Sequence, residues 1–363
     1  NNLLNTKKIK KIKVIQLIDS LNPGGAEMMA VNIANGLAEK GVASHICATR
    51  LEGDLKAKID HNVGYLFLNK NRKIDIKAII RLYKYIKQHD ITIVHAHSTS
   101  YFIGFLIKLI NPKLKLIWHN HYGNSENIKF KNMLALVLIS KSINVFISVN
   151  KSLNQWAIKS FKNKNCYYIP NFAVLDEQSK KTNLRGTQSN RIIYLANLRV
   201  EKDHLNLLRA FEIVLKSHTD WSLHLVGADL NDSYSKVIKL FIKENYLSNY
   251  IFLYGSCSDI KFILDQSTIG VLASRFEGLP VALLEYGLAK LPVVVTNVGE
   301  CSSVVNNNLS GIVVPSNNPN ELANKIIELV ENKVKRKEFG DRLFKKVNLN
   351  YSKENFMNQL ISI

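Results

Sequence analysis

The chain is 363 residues long, 46% hydrophobic and 21% charged, which excludes a disordered segment and exceeds what one ordinary core holds. Its net charge of +20 is uneven: residues 1–180 carry 27 Lys and Arg against 11 Asp and Glu, residues 181–363 carry 22 against 18. A basic first half fits either an anionic partner (membrane surface, diphosphate-bearing lipid or nucleic acid) or a lysine-rich solvated surface. In chain order, the basic start Lys7–Lys13 runs into a strand-like Val14–Ile18 without a cleavable signal pattern, and no later apolar stretch is long enough to span a bilayer. Asn22-Pro23-Gly24-Gly25-Ala26-Glu27 then separates this strand from a helix predicted over Ala26–Lys40. Its glycines let backbone amides approach an anionic ligand or simply make a turn; it lacks the third glycine of a dinucleotide fingerprint and the Gly-Lys-Ser/Thr of a Walker loop.

Strands predicted at Ser44–Ala48, Ile91–His95 and Leu114–Trp118 alternate with helices such as Ile76–Gln88, which implies right-handed βαβ units and a mainly parallel sheet. His95 and His97 at the end of one strand share a face by the period of two, and His119 and His121 repeat the arrangement on the next. Two His-x-His pairs suit a metal, yet no cysteine lies nearby, Glu126 is the only close carboxylate, and such pairs also hydrogen-bond within a polar cleft. The segment Lys129–Ser142 is amphipathic and suits core packing, a membrane surface or an acceptor groove; Lys151, Lys159, Lys162 and Lys164 follow it. The polar stretch 176–190 reads as a linker. Strands resume at Arg191–Leu195, Leu223–Val226, Ile251–Tyr254, Ile269–Ala273 and Val293–Thr296. The four cysteines, Cys47, Cys166, Cys257 and Cys301, have no paired spacing and read as buried thiols of a reducing cytoplasm.

The most telling stretch is Ser274-Arg275-Phe276-Glu277-Gly278-Leu279-Pro280-Val281-Ala282-Leu283-Leu284-Glu285. Glu277 falls at a strand's carboxyl end, Pro280 suits the first position of the next helix, and Glu285 lies over a turn into it, where open α/β sheets bind ligands. This stretch resembles the E-x7-E signature of family-four retaining glycosyltransferases (glycosyl transferases group 1). The resemblance extends over nearly the whole chain through Gly24-Gly25-Ala26-Glu27, His95-Ala96-His97, Ile169-Pro170-Asn171, Leu198 with Lys202, Val226-Gly227, Gly255 and Gly311-Ile312-Val313-Val314.

The resemblance implies an α/β protein of GT-B architecture, two Rossmann-like doubly wound domains facing a central cleft. The expected parts are an acceptor domain over 1–175, the linker over 176–190, a donor domain over 191–345 and a C-terminal helix over 346–363 crossing back to the first domain. It implies that Glu277 contacts the donor sugar's hydroxyls and that Glu285 accepts from the ribose hydroxyls; a carboxylate oxygen suits both. Arg199 and Lys202 would hold the donor diphosphate, with Asn197 standing where the family has its arginine and Arg199 two residues later either substituting or starting a surface helix. Gly278 and Leu279 would complete the phosphate cradle through backbone amides, and Gly24 and Gly25 would line the cleft near it. Gly227 and Gly255 would admit a nucleobase or make ordinary turns.

His97 matches the residue that hydrogen-bonds the transferred sugar, with His95 and His121 beside it on the acceptor side. Transfer would retain configuration without a metal or other cofactor, from a nucleotide-diphosphate sugar to a lipid-linked or free glycan. The expected location is the cytoplasm, peripheral on the inner face of the cell membrane against an anionic surface. Nucleic acid is not expected, because the basic residues are not interleaved with a groove-reading module. The alternatives are a metal-dependent hydrolase using His95, His97, His119 and His121, a nucleotide-sugar epimerase, and a non-enzymatic protein that binds anionic lipid or nucleic acid.

Overall fold

Alternating apolar strands and amphipathic helices build two sheets in which every strand pair is parallel. The computed structural model describes residues 12–121, 136–161, 165–176 and 180–363. The chain divides into two compact units, one of Asn1–Asn171 with Lys353–Ile363 and one of Phe172–Ser352.

In the first unit, β1 (Lys13–Ser20), β2 (Ala43–Leu51), β3 (Gly64–Phe67), β4 (Ile93–His97), β5 (Lys115–Asn120), β6 (Val145–Ser148) and β7 (Cys166–Tyr168) form a seven-stranded sheet in the order β3-β2-β1-β4-β5-β6-β7. Helices α1 (Gly25–Glu39), α2 (Ile76–Gln88), α3 (Tyr101–Ile110) and α4 (Lys151–Phe161) connect the strands. Ala78, Leu82 and Ile86 of α2 and Ile103 and Ile107 of α3 enter one core with Val94, Leu116, Trp118 and Phe146. Of the amphipathic segment 129–142, residues 136–140 are helical; residues 122–135, with Glu126, lie outside the described residues, as do Lys162 and Lys164.

In the second unit, β8 (Arg191–Leu195), β9 (Ser222–Val226), β10 (Ile251–Gly255), β11 (Ile269–Leu272), β12 (Val293–Thr296) and β13 (Ile312–Val314) run in the order β10-β9-β8-β11-β12-β13. The helices are α5 (His204–Leu215), α6 (Ser233–Glu244), α7 (Ile260–Asp265), α8 (Val281–Leu288), α9 (Cys301–Val304), α10 (Pro319–Glu331) and α11 (Lys333–Asn350). Asp232 caps α6 by accepting from the Ser235 amide, and Asn318 caps α10 by accepting from the Glu321 amide, with Pro319 in the first turn. Both sheets reverse direction of growth once, between β1 and β4 and between β8 and β11, and such reversals are where open α/β sheets bind ligands.

The structure corrects several sequence expectations. β4 starts at Ile93, not Ile91, and His95 and His97 lie inside it because its pairing with β5 continues to His97 opposite His119. Pro280 is not the first helical residue: at ψ 120° it is extended and caps α8, which begins at Val281. The stretch 180–190 is not a free linker. The Lys181 and Thr182 amides donate to Asp259 at 2.8 and 2.7 Å, and the Leu184 amide donates to Gln266 at 3.0 Å, all within the second unit. The second unit extends to Ser352, past the expected 345, because α11 runs unbroken to Asn350. The final helix α12 (Lys353–Ser362) joins the first unit, burying Phe356 and Met357 and pairing Lys353 with Glu39 at 2.6 Å.

Tyr286 shows how α8 is held in place. Fully buried, its hydroxyl accepts from the Leu195 amide at 2.7 Å and lies 3.3 and 3.4 Å from the Val271 and Ile193 carbonyls, so one side chain ties α8 to β8 and β11 together. Tyr286→Phe leaves a buried amide without a partner and is expected to cost about 1–3 kcal/mol. Urea unfolding checks this: the midpoint falls at unchanged slope, and an unmoved midpoint refutes the assignment.

Candidate functional site

The strongest constellation of the second unit lies at the carboxyl ends of β8 and β11. Past Leu195 the chain continues extended, burying Ala196 and Leu198 and leaving Asn197 and Arg199 more open, then turns once over Val200–Lys202. Past Leu272 it runs through Ser274, Arg275 and Glu277 to α8. Glu277 Oε1 accepts from Lys202 Nζ at 2.6 Å and from Ser274 Oγ at 2.6 Å, with only 8% of the Glu277 side chain exposed. Both bonds end on one oxygen, and among the described residues Glu277 Oε2 has no hydrogen-bond partner.

The two loops are locked to each other. Arg275 donates from Nε and Nη2 to the two carboxylate oxygens of buried Asp203 at 2.7 and 3.0 Å, a bidentate pair, and the Arg275 amide donates to the Glu201 carbonyl at 2.8 Å. The Tyr194 hydroxyl, fully buried, donates to the Lys202 carbonyl at 2.5 Å and lies 3.2 Å from Ser274 Oγ. A third loop closes in from β12: Gly299, at φ +52°, has the Glu277 and Gly278 carbonyl oxygens 2.3 and 2.4 Å from where a Cβ would stand, so no side chain fits. The Glu300 amide donates to the Gly278 carbonyl at 2.9 Å.

The remaining expected donor residues divide. Gly227 is required by packing, since a Cβ there would sit 2.1 Å from the Ala196 carbonyl oxygen. Its amide donates to the Gly255 carbonyl at 2.9 Å, and a Cβ at Gly255 would meet open space. Asn197 Oδ1 accepts from the Ala228 amide at 2.7 Å and so bridges the ends of β8 and β9. Arg199 is half exposed and lies 3.9 Å from the Glu201 carboxylate; among the described residues it is not joined to the Lys202–Glu277 pair. Glu285 is half-buried in α8, and Leu279 just before it buries its side chain. In the first unit Gly24 and Gly25 begin α1, and the Glu27 carboxylate folds back over that first turn to 2.3 Å from where a Gly24 Cβ would stand.

The first unit's reversal point holds a layer of imidazoles. His95, His97 and His119 are buried, with rings of His95 and His119 stacked at 5.3 Å and those of His119 and His121 at 4.1 Å. His97 Nδ1 is 2.9 Å from His121 Nε2, and His97 Nε2 is 2.8 Å from Gln16 Oε1, so both of its nitrogens are engaged. Burial holds His95 and His121 down to about 3 and keeps His97 and His119 well below the ordinary imidazole value, with neighbouring imidazoles adding to the shift at His95, His97 and His119. His95, His97 and His119 offer nitrogens within 4.8 Å of one another. Lone pairs lie in ring planes, however, and stacked rings aim them side by side; a shared ion with bonds of about 2.0–2.1 Å would require the rings to turn.

Several residues of these sites were missed in the sequence. Gln16, a fully buried amide in the apolar run Val14–Ile18, carried a signal, because an uncharged polar group inside a strand needs a partner. Ser274 stood three residues before Glu277. Tyr194, Asp203 and Arg275 carried no signal of their contacts, which join positions 72–80 residues apart.

Two family models divide the chain between them: Glycosyltransferase Family 4 matches residues 23–177, and Glycosyl transferases group 1 matches residues 176–346. The chain belongs to glycosyltransferase family four. Among curated relatives, the capsular polysaccharide biosynthesis glycosyltransferase CapH of Staphylococcus aureus is 25% identical over 311 residues, covering 81% of this chain and 83% of that protein. The UDP-Gal:alpha-D-GlcNAc-diphosphoundecaprenol alpha-1,3-galactosyltransferase of Escherichia coli is 25% identical over 286 residues, covering 72% of each. Among solved structures, Anabaena Alr3699/HepE in complex with UDP and glucose superposes with a TM-score of 0.80 at 18% identity, covering 97% of this chain and 98% of that one. This glycosyltransferase therefore has the GT-B fold.

The buried imidazoles set a pH dependence. Unfolded, they protonate near pH 6.5; folded, they do not until far lower, so the unfolded chain binds more protons across that window. Stability is therefore expected to fall as pH drops below about 6.5, by up to ~1.4 kcal/mol per pH unit for each such ring. Urea midpoints compared at neutral and mildly acidic pH test this, and a flat profile would mean that the rings charge while folded.

Proposed function

We propose that this glycosyltransferase moves a sugar, with retention of configuration, from a nucleotide-diphosphate sugar to a hydroxyl of a lipid-linked glycan in bacterial surface polysaccharide assembly. The observation that carries the reading is the Lys202–Glu277 pair at the β8/β11 reversal, beside the start of α8. An ammonium has three donors, so Lys202 can keep Glu277 and still bind diphosphate oxygens. Negative charge grows on the leaving diphosphate as the glycosidic bond breaks, so this cation and the Gly278 and Leu279 amides stabilise the transition state more than the bound donor.

Glu277 Oε2 accepts from a hydroxyl of the transferred sugar, and Glu285 from the ribose hydroxyls. Gly227 and Gly255 border the nucleobase, while Gly24 and Gly25 lie toward the phosphates. His97 serves the transferred sugar from the acceptor side, with His95 and His121 beside it; a sugar hydroxyl reaches its ring by exchanging for Gln16 or His121. The departing phosphate takes the acceptor's proton on the same face, and no metal is needed. The Escherichia coli relative's diphosphoundecaprenol acceptor and the UDP and glucose of the Anabaena complex support the acceptor and donor classes. Action at the cytoplasmic face of the membrane follows from a lipid-borne acceptor; no helix among the described residues is long and apolar enough to cross it.

Thermal unfolding with UDP-, GDP- and ADP-sugars identifies the donor: at a hundredfold excess over Kd, binding adds about 2.7 kcal/mol to stability. A chain stabilised by none of them is not this enzyme. Lys202→Met is expected to lower kcat by ~100- to 1000-fold, the scale for losing one preorganised charge-stabilising group. Glu277→Gln is expected to lose transfer with the fold intact by circular dichroism; full turnover in that variant overturns its role.

A further inference from the structure

We propose that the outer face of α2 is the surface by which the protein docks on an anionic lipid bilayer. On a helix with 3.6 residues per turn, Ile76, Lys77, Ile80, Lys84 and Lys87 fall within about 100° of arc, opposite the buried Ala78, Leu82 and Ile86. Ile76 is 69% and Ile80 48% exposed, and the three lysines are exposed with them. Residues 72–87 contain six Lys or Arg and a single acidic residue, Asp75. Asp75 is already committed to the helix start, where it accepts from the Ala78 amide at 3.0 Å. Among the described residues no carboxylate lies within ion-pair distance of Lys77, Lys84 or Lys87.

This composition selects the partner. Cations alone would suit any polyanion, but two isoleucines within the basic stripe gain nothing against a nucleic-acid backbone. At a bilayer, apolar side chains enter the headgroup–acyl boundary while lysine stems lie along it and keep their ammonium groups among lipid phosphates. Each lysine near an anionic leaflet is worth roughly a fivefold gain in partitioning, so three together are worth on the order of a hundredfold. The inference deepens the reading of a membrane-borne acceptor by naming the face that meets the membrane.

The test sediments the full chain with vesicles of phosphatidylcholine, alone or with one-third phosphatidylglycerol, at low and high salt. The wild-type chain is expected to prefer the anionic vesicles at least ~10-fold, and Lys77→Gln/Lys84→Gln/Lys87→Gln to lose ~10-fold or more of that binding. Ile76→Ser/Ile80→Ser is expected to lose several-fold at both salts, which screening cannot mimic. These positions are exposed, and unchanged thermal unfolding verifies that each variant folds. Variants that bind like the wild type, equal binding to neutral vesicles, or tighter binding to a DNA duplex than to anionic vesicles overturns the proposal. Nucleotide-sugar stabilisation is read on the same samples. If it is present without vesicle binding, the surface alone is wrong; if it is absent while vesicle binding behaves as expected, the transferase reading fails and the surface stands.

Discussion

The ion pair of Lys202 and Glu277 is the contact around which the second unit's ligand end is arranged. Taking a carboxylate out of water to 8% exposure is costly unless donors replace the lost hydration, and here an ammonium and a hydroxyl converge on one of its oxygens. The partners come from loops after different strands, so the pair exists only if those loops are fixed. Asp203–Arg275 clamps one to the other, Tyr194 reaches across both, and Gly299 lets a third loop pass against the Glu277 backbone. Asp203 itself stands at φ +48°, an uncommon conformation for a residue with a side chain, which the bidentate arginine helps to hold.

The first unit solves the corresponding problem without charge. Parallel pairing sets His97 opposite His119, and the two-residue period adds His95 on the same face, so strand geometry delivers a stack of imidazoles with no loop involved. Their mutual closeness and burial favour the neutral form of each ring. A neutral imidazole offers one donor and one acceptor, and the short chain from Gln16 through His97 to His121 uses both at its centre. Among the described residues, one nitrogen of His95 and both of His119 have no hydrogen-bond partner, which carries a cost in a dry interior.

What could be read in the chain beforehand follows from which interactions are local. The alternation of buried strands and helices, the paired glutamates around Gly278-Leu279-Pro280 and the His-x-His spacing are short-range patterns, and the expectation of fold and family came from them. The start of β4 was misplaced because Ile91 and Thr92 look as strand-like as Val94; only pairing with the neighbouring strands decides. The stretch 180–190 looked like a linker by composition, yet Asp259 and Gln266, some 77–84 residues away, hold it. The neighbours of Arg199 suggested a diphosphate ligand; its guanidinium lies 3.9 Å from Glu201 and outside the Lys202–Glu277 pair, a placement that only the folded loop decides.

The two sheets share strand order at their reversal points, β3-β2-β1-β4 in one and β10-β9-β8-β11 in the other, and differ in what the strand ends carry. A neutral imidazole layer suits hydroxyl groups, which need directional donors and acceptors and gain nothing from net charge. An ammonium beside a helix start suits a diphosphate, whose charge must be met in every step of transfer. The lysines of α2 carry positive charge differently again: exposed and screened by salt, their field reaches about a Debye length and favours an anionic surface over a single buried group. A net charge of +20 is thus best divided by burial. A cation withdrawn from water, as Lys202 is, has its geometry fixed by a partner, whereas those left in water act through a screened field.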